Sequence, residues 1–82
     1  MTTESPDSLE ARLQGVFARV FANKIAYRPD LKRSEAKGWD SLKHIELLIA
    51  LETEFGIRMD GADATAMTGV PQVREVVEGK LA

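Results

Sequence analysis

The chain contains no cysteine. That excludes a disulfide framework and any thiolate metal site. It has one histidine, too few for a zinc site built on imidazole, so no metal is expected. An excess of one charge is missing as well: 11 basic residues face 13 acidic ones, for a formal net charge of -2. Nucleic-acid binders concentrate positive charge, so no nucleic-acid partner is expected. No stretch reaches the roughly 20 apolar residues of a membrane-spanning helix. The start, MTTESPDSLEARL, lacks the basic end and apolar run of a secretory signal. A cytoplasmic location is the default expectation. What remains is ordinary for a globular protein, with 44% hydrophobic and 29% charged residues. The 82 residues suffice for one domain, 1–82, of a size at which a core is marginal.

Helical periodicity dominates what is present. Leu9, Leu13, Val16, Phe17, Val20 and Phe21 fall at i, i+4, i+7, i+8, i+11 and i+12, one apolar stripe. Ser5 is read as the N-cap, Pro6 as the first helical residue, and Asp7 as a charge suited to the helix start. A long connection follows, KIAYRPDLKRSEAKGWD, punctuated by Pro29 and Gly38 and without sustained periodicity. Ile25, Tyr27, Leu31 and Trp39 are its expected anchors. The second helix is expected from about Ser41 to Phe55, stopped by Gly56 at the C′ position. A short turn is expected near 62–67. The last helix opens at Thr68 or Gly69 with Pro71 in its first turn, and Val70, Val73, Val76, Val77 and Leu81 form its apolar face. No strand pattern competes. The fold class is all-α: a small bundle of three main helices, one short helix and a long first loop.

The second helix carries more apolar surface than one face needs. At about 100° per residue, Leu47, Leu48, Leu51 and Phe55 share one arc and read as core. Leu42, Ile45 and Ile49 share another, with Glu46 beside it. Either the long loop folds over this second arc, or the arc is an exposed ridge for a partner protein.

Ser41 stands at the start of this helix. A serine there is commonly an N-cap, worth about 1 kcal/mol. The same place also suits a phosphodiester, because unpaired N–H groups and the positive end of the helix dipole favour an anion. The stretch GWDSLKHIELLIALETEFGI resembles the signature of acyl carrier proteins and the related peptidyl carrier domains. Asp40, Ser41 and Leu42 match the D-S-L triplet that opens the second helix in that family. Glu46 and Leu47 match its glutamate and leucine, and Leu51, Glu52, Thr53, Glu54 and Phe55 match its L-E-x-E-F ending. The resemblance covers nearly the whole chain. It implies a four-helix bundle of acyl-carrier type, with 4′-phosphopantetheine linked to Ser41 by a phosphopantetheinyl transferase and Asp40 and Leu42 flanking the attachment. It implies a monomeric, non-enzymatic carrier that holds an acyl or aminoacyl group as a thioester. Its further partners would be a loading enzyme and a downstream synthase or transferase, docking on Leu42, Lys43, Ile45, Glu46, Ile49 and Glu52. A thiol on the arm suits a chain that has none of its own.

The chain departs from the strongly acidic fatty-acid carriers in several places. Lys43 stands at a commonly acidic position, where it is expected to face an incoming cationic partner and weaken its docking. Arg28, Lys32, Arg33 and Lys37 make the loop basic. They read as a solvated rim, or as contacts for the negative arm or an acidic partner. Lys37 replaces an apolar residue whose packing role Trp39 takes over. These features are closer to stand-alone carriers of specialised pathways. His44, three residues after Ser41, suggests a hydrolase pair, but no orienting acid or oxyanion hole accompanies it; a packed structural histidine is the expectation. Asp60 to Asp63, DGAD, begins like a calcium loop without the rest of the ligands, and reads as a helix start. The alternative to a carrier is a small helical interaction module without a prosthetic group.

Overall fold

In the computed structural model, which describes residues 6–22 and 24–82, the first apolar stripe lies on one helix, α1, Pro6–Phe21. Leu9, Leu13, Val16, Phe17 and Phe21 are buried and Val20 packs against them half-buried, as the 3.6-residue period requires. Ser5 and the side chain of Asp7 lie outside the described residues. Three further α-helices follow among the described residues: α2, Ser41–Phe55; α3, Gly61–Ala66; and α4, Val70–Leu81. Among the described residues of the long connection before α2 there is one 3-10 turn, Arg33–Glu35. The only β pairing described is an isolated antiparallel bridge between Lys32 and Gly69.

Local chemistry sets the boundaries of α2. At its start the Asp40 side chain accepts the Lys43 N–H at 2.9 Å, so the N-cap is Asp40, and Ser41 is the first helical residue. This corrects the reading of Ser41 as the capping side chain. Asp is an equally good cap and leaves the serine hydroxyl uncommitted. At the other end Gly56 adopts the left-handed conformation, φ 64°, which glycine enters without the Cβ penalty. Asp60 and Asp63 cap α3 reciprocally, each carboxylate accepting the other's backbone N–H at 2.9 and 3.1 Å. The DGAD stretch is thus a helix start, and no group of three or more metal-binding side chains occurs among the described residues.

The connection from α1 to α2 folds over the aromatic end of α1. Phe17 stacks on Phe21 at 5.7 Å and meets Tyr27 and Trp39 edge-on at 5.3 and 5.4 Å. Leu31, Ala36 and Trp39 are buried, while Ile25 and Tyr27 pack half-buried against the core. Because the loop is spent on α1, it does not cover the second apolar arc of α2. On the core arc of α2, Leu47, Leu51 and Phe55 are buried and Leu48 is half-buried. From α4, Val70, Val73 and Val77 are buried and Val76 half-buried. Leu81, expected on that face, is 45% exposed in the last turn, where the helix runs past the core. No helix among the described residues is long and apolar enough to cross a membrane.

Ion pairs tie the helices at their rims. Arg74 reaches from α4 to Glu10 on α1 at 2.8 Å, and Lys80 reaches Asp63 on α3 at 2.9 Å. Arg12 of α1 donates to both the side chain and the backbone carbonyl of Glu54 at the end of α2, and lies 4.4 Å over the Phe55 ring. A cation at a helix C-terminus is favoured by the dipole.

Candidate functional site

Ser41 is exposed at the first position of α2, at the surface end of a helix whose opposite side is core. Its surroundings are set by three neighbours. Asp40 spends one carboxylate oxygen on the Lys43 N–H, and its carbonyl accepts the His44 N–H at 2.8 Å. The N–H groups of Ser41 and Leu42 have no partner among the described residues. An oxyanion attached at the serine would therefore meet two open donors and the positive helix end. On this geometry a phosphodiester fits the residues present.

His44 is buried beneath this turn and fully engaged. The Trp39 indole N–H donates to its Nδ1 at 2.9 Å. Nδ1 must then be the acceptor, so Nε2 carries the proton and donates to the Ala64 carbonyl, also at 2.9 Å. The ring thereby links the connection, α2 and α3, and neither nitrogen is left to take a proton from Ser41. Trp39 itself is only 3% exposed, whereas Lys37 points to solvent, in keeping with a packing role transferred to the tryptophan.

Along the outer side of α2, Leu42, Ile45 and Ile49 are 64%, 57% and 58% exposed. They form a continuous apolar ridge starting one residue from Ser41. Glu46 beside it is paired with Lys43 at 3.1 Å. Lys43 was expected to face an incoming partner, but its ammonium turns back to the Val20 carbonyl of α1 at 3.2 Å, and its side chain is only 38% exposed. Glu52 is likewise engaged, accepting the Met59 N–H at 2.8 Å.

Over 65 residues, 79% of this chain and 83% of each relative, the sequence is 31% identical to the acyl carrier proteins of Chlorobium phaeobacteroides, Chlorobium phaeovibrioides and Chlorobium luteolum. The chain belongs to the acyl carrier protein family. Its backbone also matches the solution NMR structure of holo acyl carrier protein from Geobacter metallireducens, with a TM-score of 0.77 and 27% identity over 89% of this chain and 84% of that one. No protein-family model matches the chain. The all-α fold and the carrier-type helix order expected of the family are those found in this acyl carrier protein.

The sequence singled out Ser41, Asp40 and Leu42, and the three are adjacent at one helix start. Two features of this end were missed. Asp40 was passed over as the cap, although an acid directly before an apolar helix signals one. The group of Ser34, Thr68 and Gln72 near Trp39 had no sequence signal, because it is assembled from segments more than 30 residues apart.

Proposed function

We propose that Ser41 carries 4′-phosphopantetheine and that the protein presents an acyl or aminoacyl group to partner enzymes as a thioester. The observation that carries this reading is an exposed, uncommitted serine hydroxyl at a helix start where Asp40, rather than Ser41, does the capping. When bound, the arm supplies the thiol that a cysteine-free chain lacks. The chain's own residues do the rest. The Ser41 Oγ would be the linking atom, and the open N–H groups of Ser41 and Leu42 would hold the phosphate at the positive end of α2. Leu42, Ile45 and Ile49 offer an apolar ridge to a transferase, a loading enzyme and a downstream synthase, with Lys43, Glu46 and Glu52 along its edge. The role is non-enzymatic: His44 is held by Trp39 and Ala64 and cannot serve Ser41 as a base.

Intact mass after incubation with a broad-specificity phosphopantetheinyl transferase and coenzyme A tests the reading. The full chain should gain one arm, and Ser41→Ala none. A wild-type chain that gains no mass would leave a helical interaction module as the better description, and a modified alanine variant would move the attachment elsewhere.

A further inference from the structure

A cavity of about 510 Å³ opens between the second half of the α1–α2 connection and the start of α4, lined by Lys32, Arg33, Ser34, Trp39, Thr68 and Gln72. That is the size of a small-ligand site. Backbone contacts hold its two walls together. The Arg33 N–H donates to the Thr68 carbonyl at 3.0 Å, and the Val70 N–H to the Leu31 carbonyl at 2.8 Å. The approach is close enough to require glycine at 69, where a Cβ would lie 2.7 Å from the Leu31 oxygen and 3.2 Å from the Lys32 Cα. The shape is therefore built into the chain.

Its chemistry is one-sided. No acid lines it, and two cations do. Arg33 is half-buried, with Nε donating to the Trp39 carbonyl at 3.3 Å, which fixes the guanidinium against the wall. The side chains of Arg33 and Lys32 form no ion pair among the described residues, although the Lys32 backbone N–H donates to Glu35 Oε1 at 3.3 Å, whereas Arg28 of the same loop pairs with Asp30 and Glu35. The hydroxyls of Ser34 and Thr68 and the Gln72 amide add neutral donors. Such a set fits a small oxyanion, with arginine supplying a planar fork for it. Trp39 contributes to this wall two residues before Ser41, a chain span of at most about 7 Å.

Resting on the carrier reading above, the geometry points to this cavity as the seat for a carboxylate at the far end of the acyl group carried on Ser41. A tethered group reaches effective concentrations in the millimolar range, so a few charge-assisted hydrogen bonds suffice in a site open to water. A plain alkyl chain would leave both cations unused. The cargo class is accordingly a short acyl group with a free carboxylate, and the same oxyanion chemistry could otherwise be met by the arm's own phosphate.

The test loads the full chain through a broad-specificity transferase from coenzyme A, butyryl-coenzyme A and succinyl-coenzyme A, and compares the ¹⁵N–¹H NMR spectra. The backbone signals of Thr68 and Gln72 and the Arg33 Nε–H signal should shift in the succinyl form alone. Lys32→Gln, at an exposed position that leaves the fold intact, and Arg33→Gln should each reduce the Thr68 and Gln72 shifts while intact mass still shows a loaded chain. Equal shifts in the butyryl form, or none in any form, would overturn carboxylate recognition. A full shift already present with the bare thiol would assign the cavity to the phosphate and overturn it too. A chain that gains no mass would overturn the carrier reading itself, and this inference with it.

Discussion

Lys43 Nζ, in the first turn of α2, donates to the Val20 carbonyl in the last turn of α1. At the other end of the same pair, Arg12 of α1 donates to the Glu54 carbonyl in the last turn of α2. Each helix thus places a cation on the other's C-terminal carbonyls, where the dipole favours it. Lys43 is a fastening as well as a surface charge. Lys43→Gln removes the charge but keeps a donor for the carbonyl, so the stability loss should stay below about 1 kcal/mol. Association with a partner that presents a cationic patch, such as a general malonyltransferase, should become faster, with the gain shrinking as salt rises. Stopped-flow rates that do not change would mean that Glu46 already neutralises Lys43 at the docking surface.

The capping assignment separates two neighbours. Asp40→Ala should cost about 1 kcal/mol, because it orphans the Lys43 N–H. Ser41→Ala should be close to neutral, since no hydrogen bond to the hydroxyl holds the helix end. Urea midpoints of the two variants decide this. A larger loss for Ser41→Ala would return the cap to the serine.

Two sides of α2 should respond differently to truncation. Leu51→Ala empties a fully buried position and should cost roughly 2–5 kcal/mol. Ile49→Ala, more than half exposed, should cost well under that and instead slow modification or loading. Equal destabilisation by the two would place the ridge in the core.

His44→Ala should remove both the acceptor of the Trp39 indole and the donor to Ala64. Leaving buried polar partners unpaired costs about 1–3 kcal/mol each, and the loss should exceed that of a surface histidine. Trp39 fluorescence is a direct readout, because the indole N–H loses its nitrogen acceptor. An unchanged emission spectrum and midpoint would show that another group replaces the imidazole.

Much of this was legible in local signals. The bounds of α2 follow from an acid before an apolar helix and a glycine after it, and both act within a turn. The twofold apolar character of α2 could be read from its wheel, but what covers the second arc could not, since that depends on where a distant loop packs. Phe17 and Phe21 draw that loop onto α1, and the ridge stays bare. Ala36 and Met67 were missed as core residues because each is an isolated small or flexible apolar residue outside any periodic run. Leu81 was placed in the core by a period that continues after the core has ended. Lys43 was read from its neighbours on α2, whereas its partner Val20 is 23 residues away.

Acidity should expose the Arg12–Glu54 fastening. The Arg12 guanidinium, hydrogen-bonded to Glu54 Oε2 at 3.1 Å, holds the Glu54 carboxyl below the usual range; Arg19 at 3.1 Å adds to this, and partial burial opposes it. A carboxyl whose folded pKa is depressed stabilises the protein above its unfolded value of about 4.3, and that stabilisation is lost as pH falls through the lower folded value. Glu54→Gln should therefore be less stable than the wild type near neutral pH, with the two urea midpoints converging as pH drops below about 4. Convergence should be only partial, because the Arg12 bond to the Glu54 backbone carbonyl survives in both proteins. High salt should narrow the neutral-pH gap, since these side chains are partly exposed and screened. A gap that stays constant from neutral to acid would show that the glutamate acts through its shape rather than its charge. The ion pairs would then be surface decoration, with the Phe55 stacking and the carbonyl bond left as what Arg12 contributes.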